Sequence, residues 1–254
     1  MPFTLAHAAA ALSLRRARLV WSALVIGTFA PDFEYFLRLA PNHGYGHTLK
    51  GTFLLTLPLA FVVLWMFHAL VKAPVIELLP EGVRSRIPPN GFRFGGASRF
   101  AMIVTSILVG ISTHLVWDSF THSNTWIYRR WDALHLRIKM PGLGEIPLYK
   151  IFQHGSTALG MGILFIWLLW WYRATEPHPV AHSRFSLSQR LIVVVGILSL
   201  AFIAALARAT VAAGLPAING ARARFAGLWV TTLIALIWWQ LVLYGLWRRR
   251  LQEN

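Results

Sequence analysis

The sequence predicts an all-α protein, a polytopic transmembrane helix bundle with about five full spans and an N-terminal hairpin of short helices. Three observations carry this prediction. Hydrophobic residues make up 56% of the 254 residues and charged residues only 13%, and the mean hydropathy is +0.56. Apolar stretches also recur at the length that a helix needs to cross a bilayer, about 20 residues. A water-soluble domain would not contain five of them: 51–71, 100–121, 152–172, 190–214 and 225–247.

The first 30 residues are predicted to form a hairpin rather than a span. The apolar segment that ends near Leu14 is too short to cross a bilayer, and three arginines at 15–18 separate it from a second apolar segment at 19–30. With its turn at the arginines, the hairpin places its two open ends side by side. His7 and Asp32, one at each end, are therefore expected to lie close together.

A glycine-rich turn follows this hairpin, and it contains His43 and His47. Both histidines are close in sequence to the acidic pair Asp32 and Glu34. A loop before a membrane helix can present ligands without disturbing a helical backbone. The turn is therefore a candidate source of metal ligands.

The most informative motif is found where the apolar run 100–121 ends. His114, Asp118 and His122 are spaced four residues apart, so each advances by only about 40° and about 6 Å along a helix, and all three project from one face. An imidazole and a carboxylate at this spacing can share a divalent ion, or the carboxylate can orient the imidazole. Alternatively, His114 and Asp118 pair only with each other and hold helices together. Ionisable groups in an apolar span are costly, which favours the functional interpretation.

Alternation of the spans collects these residues at one membrane face. The 31–50 loop, the end of the His114 helix and the start of the following span, where His154 stands, all fall on that side. We predict one integral membrane domain over 1–254: the hairpin and His/Asp loop (1–50), the core spans with the site helix (51–172) and a C-terminal pair of spans (173–254). Loops 72–99 and 123–150 are basic connectors.

Composition narrows the chemistry of the site. The formal net charge is +15, but basic residues fall in every loop without a nucleic-acid-binding motif, so membrane lipids rather than nucleic acid are the expected partners. The chain has no cysteine, which leaves nitrogen and oxygen ligands for any metal. A mixed histidine and carboxylate set suits zinc, with manganese or iron as alternatives, and the number of such residues fits either two metals or one metal and a general base. Lys50, Arg129 and Arg130 favour an anionic substrate.

Four segments carry a family resemblance. They are Met1-Pro-Phe-Thr-x-x-His7, Gly27-Thr-Phe-Ala-Pro-Asp32-Phe-Glu34-Tyr-Phe, Gly46-His47-Thr48-Leu and His114-x-x-x-Asp118-x-x-Thr121. Over most of its length the chain resembles a bacterial membrane family of unknown function that shares this opening. More distantly, residues 1–122 resemble the membrane-bound metal-dependent hydrolases, the LexA-binding inner-membrane-associated hydrolase family. Part of the pattern is also similar to one zinc site of the zinc-dependent phospholipases C.

The distant resemblance implies a hydrolase with a defined set of site residues: His7, Asp32, Glu34, His47, His114 and Asp118. Two positions depart from the hydrolase pattern, because Ala8 stands where a proline usually follows the first histidine and Glu34 replaces an aspartate. From topology rather than resemblance, His154 joins the candidate metal ligands. Glu34 and His7 are the candidate bases.

The residues leave three functions open. The first is a metal-dependent hydrolase that acts at the membrane face on a phosphoester or lipid headgroup; the others are a cation or proton-coupled transporter and a non-catalytic membrane scaffold. The predicted location is the inner membrane. Lysine and arginine number 10 on the side of the site and 14 on the other, which favours a cytoplasmic C-terminus and a site facing away from the cytoplasm.

Overall fold

The structure is a computed structural model that describes residues 4–41, 44–88, 91–142, 144–179, 185–214 and 221–253. Its helices, in chain order, are α1 Ala8–Ser13, α2 Trp21–Phe29, α3 Phe33–Arg38, α4 Leu49–Leu78, α5 Glu81–Arg84, α6 Ala97–Thr121, α7 Trp126–Arg130, α8 Leu148–Ala174, α9 Leu187–Ala213 and α10 Ala221–Glu253. Single turns of 3₁₀ helix occupy Thr4–His7, Ala30–Asp32, Tyr45–His47 and Asp132–His135. Two stretches of α4, Thr52–Thr56 and Phe67–Val71, are π-helical.

The predicted helical membrane protein is confirmed. Within the described ranges, α4, α6, α8, α9 and α10 are long and apolar enough to cross a membrane. Each is longer than the apolar run that predicted it, since backbone hydrogen bonding continues past the hydrocarbon layer into the polar interface. The two short N-terminal helices, α1 and α2, are also present, with the turn between them at the predicted arginines.

One small sheet was not predicted from the sequence. Strands β1 Arg137–Met140 and β2 Gly144–Pro147 pair antiparallel within the segment that we expected to be a basic connector. Both strands have four residues and are largely exposed. Strands this short carry too few alternating apolar positions to be recognised from the sequence.

The chain divides into two compact units. The first comprises Met1–Phe33, Tyr45–Ala60 and Phe94–Trp171, and the second comprises Glu34–Gly44, Phe61–Arg93 and Tyr172–Asn254. This division does not follow the predicted parts 1–50, 51–172 and 173–254, and the single-domain organisation stays a prediction. All six candidate metal ligands belong to the first unit: His7, Asp32, His47, His114, Asp118 and His154.

In the first unit, α2 and α6 lie in close contact because glycines face each other at their crossing. A Cβ atom on Gly27 would meet the backbone carbonyl oxygen of Ile107, and one on Gly110 would meet that of Leu24. Small residues let membrane helices approach closely and pack backbone against backbone. The crossing brings the C-terminal end of α2, and the turn with Asp32 after it, to the face of α6 that carries the histidine motif.

We expect Gly110→Leu to disrupt this crossing. The added side chain collides with backbone rather than with a movable side chain, so the free energy of unfolding should fall by about 3 kcal/mol. Gly162→Leu on α8 is the matched control, since a Cβ there meets no atom within 4 Å. Thermal unfolding in detergent measures both. Equal stability of the two variants would contradict the close approach.

In the second unit, α10 packs against α9 and against the later part of α4. Leu70 and Val71 of α4 and Val242 of α10 form a buried apolar cluster. The Arg208 guanidinium of α9 donates to the Thr232 hydroxyl of α10 at 3.0 Å. The three spans thus form one bundle within this unit.

Candidate metal centre

Five ionisable side chains converge inside the first unit. His7, Asp32, His114 and Asp118 are buried, and His47 retains 16% of its side-chain exposure. Two overlapping groups could each hold an ion: His7, His114 and Asp118 in one, and Asp32, His47 and His114 in the other. The ligand atoms within each group all lie within 4.8 Å of one another.

Helix α6 contributes His114 and Asp118 one turn apart, as the spacing predicts. The Nδ1 atom of His114 lies 2.8 Å from the backbone carbonyl oxygen of Thr28 at the end of α2. A carbonyl only accepts, so Nδ1 donates, and in the neutral imidazole Nε2 then keeps its lone pair. This arrangement is the one that orients a metal-binding histidine, with one ring nitrogen bonded to the protein and the other directed at the ion.

Asp32 reaches the cluster from the 3₁₀ turn after α2. The Thr4 hydroxyl donates to its Oδ2 atom at 2.6 Å, which joins the two open ends of the N-terminal hairpin. The other carboxylate oxygen, Oδ1, faces His47 and His114. Thr4 therefore fixes the rotation of this carboxylate and leaves one oxygen for a ligand role.

His47 comes from the turn that precedes α4. The Thr56 hydroxyl of α4 donates to the backbone carbonyl of Gly46 at 3.1 Å and holds that turn against the helix. Thr48 caps α4, with its side-chain oxygen accepting from the Gly51 amide at 2.9 Å. His47 is the most exposed of the five side chains, so the cluster opens to its surroundings beside this residue.

Four separations among these atoms are close to the edge lengths of a tetrahedral ligand shell. His114 Nε2 lies 3.3 Å from Asp118 Oδ2 and 3.7 Å from Asp32 Oδ1. His47 Nε2 lies 3.5 Å from Asp32 Oδ1 and 3.6 Å from Asp118 Oδ2. A tetrahedron with ligands at zinc distances of about 2.0 to 2.2 Å has edges of about 3.3 to 3.6 Å. Hydrogen bonds between nitrogen and oxygen would be shorter, about 2.7 to 3.2 Å.

Unsatisfied polar atoms at the centre support the same interpretation. Among the described residues, His114 Nε2, Asp118 Oδ1 and both ring nitrogens of His7 are buried without a hydrogen bond. Buried polar atoms normally have partners, since an unpaired one costs about 1 to 3 kcal/mol. A metal binds neutral imidazoles and ionised carboxylates, and in that state the two carboxylates carry a charge of −2, which one divalent cation would balance. The residues present therefore fit a metal ion.

His7 contacts the other oxygen of the Asp118 carboxylate, and with His114 and Asp118 it forms one of the two groups that could hold an ion. Its Nε2 atom lies 3.3 Å from Asp118 Oδ1, and its ring stacks on that of His114 with centroids 4.0 Å apart. Asp118 thus presents Oδ2 to His47 and His114, and Oδ1 to His7. This carboxylate can bridge an ion and a second group bound beside His7.

Burial shifts the pKa of two side chains in the N-terminal hairpin, His7 and Asp32. Burial, followed by the neighbouring His114, lowers the pKa of His7 to about 3. Burial also raises the pKa of Asp32 above its ordinary value. His7 is therefore neutral at physiological pH, with a lone pair available, and a charged Asp32 is costly unless a cation lies beside it.

Three other predicted residues have different surroundings. Glu34 is buried, but its carboxylate accepts from the Arg38 guanidinium at 2.8 Å on the same helix, within the second unit. His154 is exposed on α8 and belongs to neither group of metal-ligating side chains. His122 is buried, and its Nδ1 lies 3.2 Å from the Thr121 hydroxyl, 3.3 Å from the Asp118 carbonyl and 3.6 Å from Asp118 Oδ2, so it borders the cluster but belongs to neither group. His43 lies outside the described residues.

Sequence reasoning assigned no role to Thr4 or Thr28. Thr4 stands in the opening motif of the chain, which carried the family resemblance but gave no hint of a hydrogen bond to Asp32. Thr28 acts through its backbone carbonyl, so no side-chain pattern could have identified it. Both groups orient ligands, and orientation depends on which helix lies alongside.

Replacing Thr4 by valine is expected to weaken metal binding by about tenfold or more, because Asp32 loses the bond that orients it. Thr4→Ser keeps the hydroxyl and should bind metal almost as well as the wild type. Competition with a chromogenic chelator measures the affinity of each variant. Equal affinities for the valine and serine variants would show that the hydroxyl does not orient a ligand.

Comparison with known proteins gives a family but no activity. A family model described as a domain of unknown function, DUF4184, matches residues 1–246. No curated protein and no solved structure shows significant similarity to the chain. The predicted membership of a family of unknown function is thus confirmed, whereas the comparisons lend no support to the distant resemblance to metal-dependent hydrolases. Because the match spans nearly the whole sequence, this chain belongs to the DUF4184 family of proteins of unknown function.

Proposed function

We propose that the protein is a membrane-embedded metal-dependent hydrolase that acts on a phosphoester, such as a lipid headgroup, at the membrane face. Zinc is the favoured ion, with manganese or iron as alternatives, and Asp32, His47, His114 and Asp118 would hold it. The observation that carries the proposal is the set of four separations of 3.3 to 3.7 Å between their ligand atoms. These separations are close to the edges of a tetrahedral shell around zinc, and they are longer than ordinary hydrogen bonds between nitrogen and oxygen.

The position of the cluster favours a substrate that lies at the membrane–water interface. His114 lies seven residues before α6 ends at Thr121, about 10 Å along the helix axis. A headgroup phosphoester can therefore approach, while the acyl chains stay in the hydrocarbon layer. The open edge beside His47 is the expected point of entry, and exposed Lys50 three residues later would attract an anionic group.

A divalent ion in this cluster would lower the pKa of a bound water and polarise a phosphoryl oxygen, which is the chemistry of phosphoester hydrolysis. His7 Nε2 and Asp118 Oδ1, 3.3 Å apart and without hydrogen bonds, can both accept from one water and orient it. His7 is the candidate base within this unit, and His7→Gln is expected to lose turnover while keeping its metal. Glu34, the other base predicted from the sequence, accepts from Arg38, and Glu34→Gln is expected to keep both metal and turnover.

A metal-stabilised scaffold without catalysis is the second candidate. Four protein ligands can complete a tetrahedral shell, which is typical of structural zinc sites, whereas catalytic sites keep one position open. The ligands also come from three segments of the chain, namely the hairpin, the turn before α4 and α6. An ion bound there would join these segments even if no reaction occurred.

A measurement of substrate turnover distinguishes the hydrolase from the metal-stabilised scaffold. We expect protein reconstituted with zinc or manganese to release the headgroup from phosphatidylglycerol in mixed micelles and to cleave bis(p-nitrophenyl) phosphate. Chelation should abolish both activities, and re-addition of the metal should restore them. Asp118→Asn supplies the inactive control. Stoichiometric metal with no turnover on either substrate would favour the scaffold.

We also propose that the C-terminus is cytoplasmic and the metal site faces away from the cytoplasm in a bacterial inner membrane. The support is the lysine and arginine count, 14 on the C-terminal side against 10 on the other. A phosphatase or fluorescent-protein reporter fused after residue 254 is expected to read cytoplasmic. An extracytoplasmic signal from that fusion would reverse the orientation.

A further inference from the structure

The second unit contains a cluster of arginines that the proposed hydrolase does not use. Four arginines belong to, or form hydrogen bonds with, residues 77–86 at the end of α4 and through α5. Arg84 and Arg86 belong to this segment, while Arg190 from the start of α9 and Arg248 from the end of α10 bond to it. Residues 77–86 contain two glutamates, at 77 and 81, against these four positive charges.

Arg84 is the least expected member of this arginine cluster. It retains only 8% of its exposure, and its Nε atom is buried without a hydrogen bond. No ion pair between described residues includes it, although a buried guanidinium is normally paired with an acid. Arg84 is therefore a buried cation whose counter-charge the described part of the chain does not supply.

Arg190 and Arg248 are each partly satisfied. Arg190 donates from NH1 to the Leu79 carbonyl at 3.0 Å, and Arg248 donates from NH2 to Glu77 Oε2 at 2.6 Å. The Nε atom of each is buried without a hydrogen-bond partner. Both guanidinium groups thus retain donors that the described residues do not use.

Backbone and aromatic contacts hold the cluster in place. Arg86 donates to the Tyr172 carbonyl at 2.7 Å and to the Gly82 carbonyl at 2.6 Å, and it lies 4.3 Å from the Tyr172 ring centroid. Arg248 lies 4.5 Å from the ring centroid of Phe185. The His178 amide donates to the Ser85 carbonyl at 2.7 Å. These contacts fix side chains that would otherwise move freely at a surface.

We infer that this arginine cluster is a binding site for a phosphate group, supplied by an anionic phospholipid. A guanidinium presents several N–H donors in a fixed planar arrangement that matches phosphate oxygens. The elements that form the cluster are the ends of spans: Arg190 is three residues inside α9 and Arg248 is five residues before α10 ends. Headgroup phosphates lie at that depth. Ordinary headgroup anchors are solvated, whereas Arg84 and Arg248 are buried.

Lipid titration of the full-length protein in detergent, followed by native mass spectrometry, tests the site. The probes are dioleoylphosphatidylglycerol, dioleoylglycerol with the same acyl chains but no phosphate, and inorganic phosphate. We expect phosphatidylglycerol to bind and dioleoylglycerol not to. Arg84→Gln should weaken phosphatidylglycerol binding by about tenfold or more, since a charge-assisted hydrogen bond contributes about 1.5 to 3 kcal/mol.

Arg250→Gln is the matched control, because Arg250 is an exposed arginine near the end of the same helix as Arg248. It should leave the affinity within about twofold of the wild type. Arg84→Lys and Arg190→Gln provide variants for the case that Arg84→Gln does not fold, and both should also weaken binding. Binding of inorganic phosphate that depends on Arg84 would identify a soluble phosphate as the source.

Two results would overturn the inference. One is a folded Arg84→Gln or Arg84→Lys protein that binds phosphatidylglycerol as the wild type does. The other is equal binding of phosphatidylglycerol and dioleoylglycerol, which would show that the acyl chains rather than the phosphate are recognised. Neither result depends on the metal centre, which lies in the first unit, so the proposed hydrolase would be unaffected.

Discussion

His114→Ala and Asp118→Asn are each expected to lose most of the transition metal that the wild-type protein retains when purified without chelator. Each change alters one of the four proposed ligands, and Asp118→Asn also removes one of the two negative charges that would balance the ion. Loss of a ligand from a four-coordinate site leaves the remaining three atoms with an incomplete shell. Metal content per protein chain, measured by inductively coupled plasma mass spectrometry, should fall from near one to a small fraction.

His154→Ala is the matched control for this experiment. It removes an imidazole from the first unit, but from an exposed position on α8 outside both groups of ligands, so the metal should stay. His122→Ala should have a smaller effect than His114→Ala, since the His122 Nδ1 atom is already close to Thr121 and the Asp118 carbonyl. Full metal content in both the His114 and Asp118 variants would remove these residues from the shell.

Removal of the metal is expected to destabilise the wild-type protein strongly. Without the ion, the buried carboxylates of Asp32 and Asp118 lose their counter-charge, and the hairpin, the turn and α6 lose a common attachment. An ion at about 1,000 times its dissociation constant stabilises a folded protein by about 4 kcal/mol, which is on the order of 10 °C in unfolding temperature at this size. Thermal unfolding in detergent, with and without chelator, measures the shift.

Reversibility and a variant control separate this effect from general damage by the chelator. Adding zinc back should restore the unfolding temperature, and the His114→Ala protein should show no response to either treatment. An unfolding temperature that is the same with and without chelator, in protein shown to have lost its metal, would mean that the ion does not join the three segments. The cluster would then be held by apolar packing alone.

The sequence by itself determined the membrane architecture and the centre of the candidate site. Spans are recognisable because the bilayer demands about 20 apolar residues in a row, and α4, α6, α8, α9 and α10 each contain such a run. The pairing of His114 and Asp118 was equally predictable. Residues four apart share one face of any helix, whatever surrounds it. The predicted hairpin also placed Asp32 next to the start of the chain, where Thr4 bonds to it, because two short segments joined by a turn at the arginines run back alongside each other.

Only the tertiary structure decided which of the remaining polar residues join that centre. His154 lies near the start of α8, as expected, but its side chain is exposed. Successive residues of a helix point about 100° apart, so the start of a helix alone does not tell which residue faces its neighbours. Glu34, two residues after Asp32, faces Arg38 instead. The bonds from Thr4 and from the Thr28 carbonyl depend on a backbone approach that Gly27 and Gly110 permit. Local spacing fixes direction within one helix, whereas contact between helices depends on packing over the whole unit.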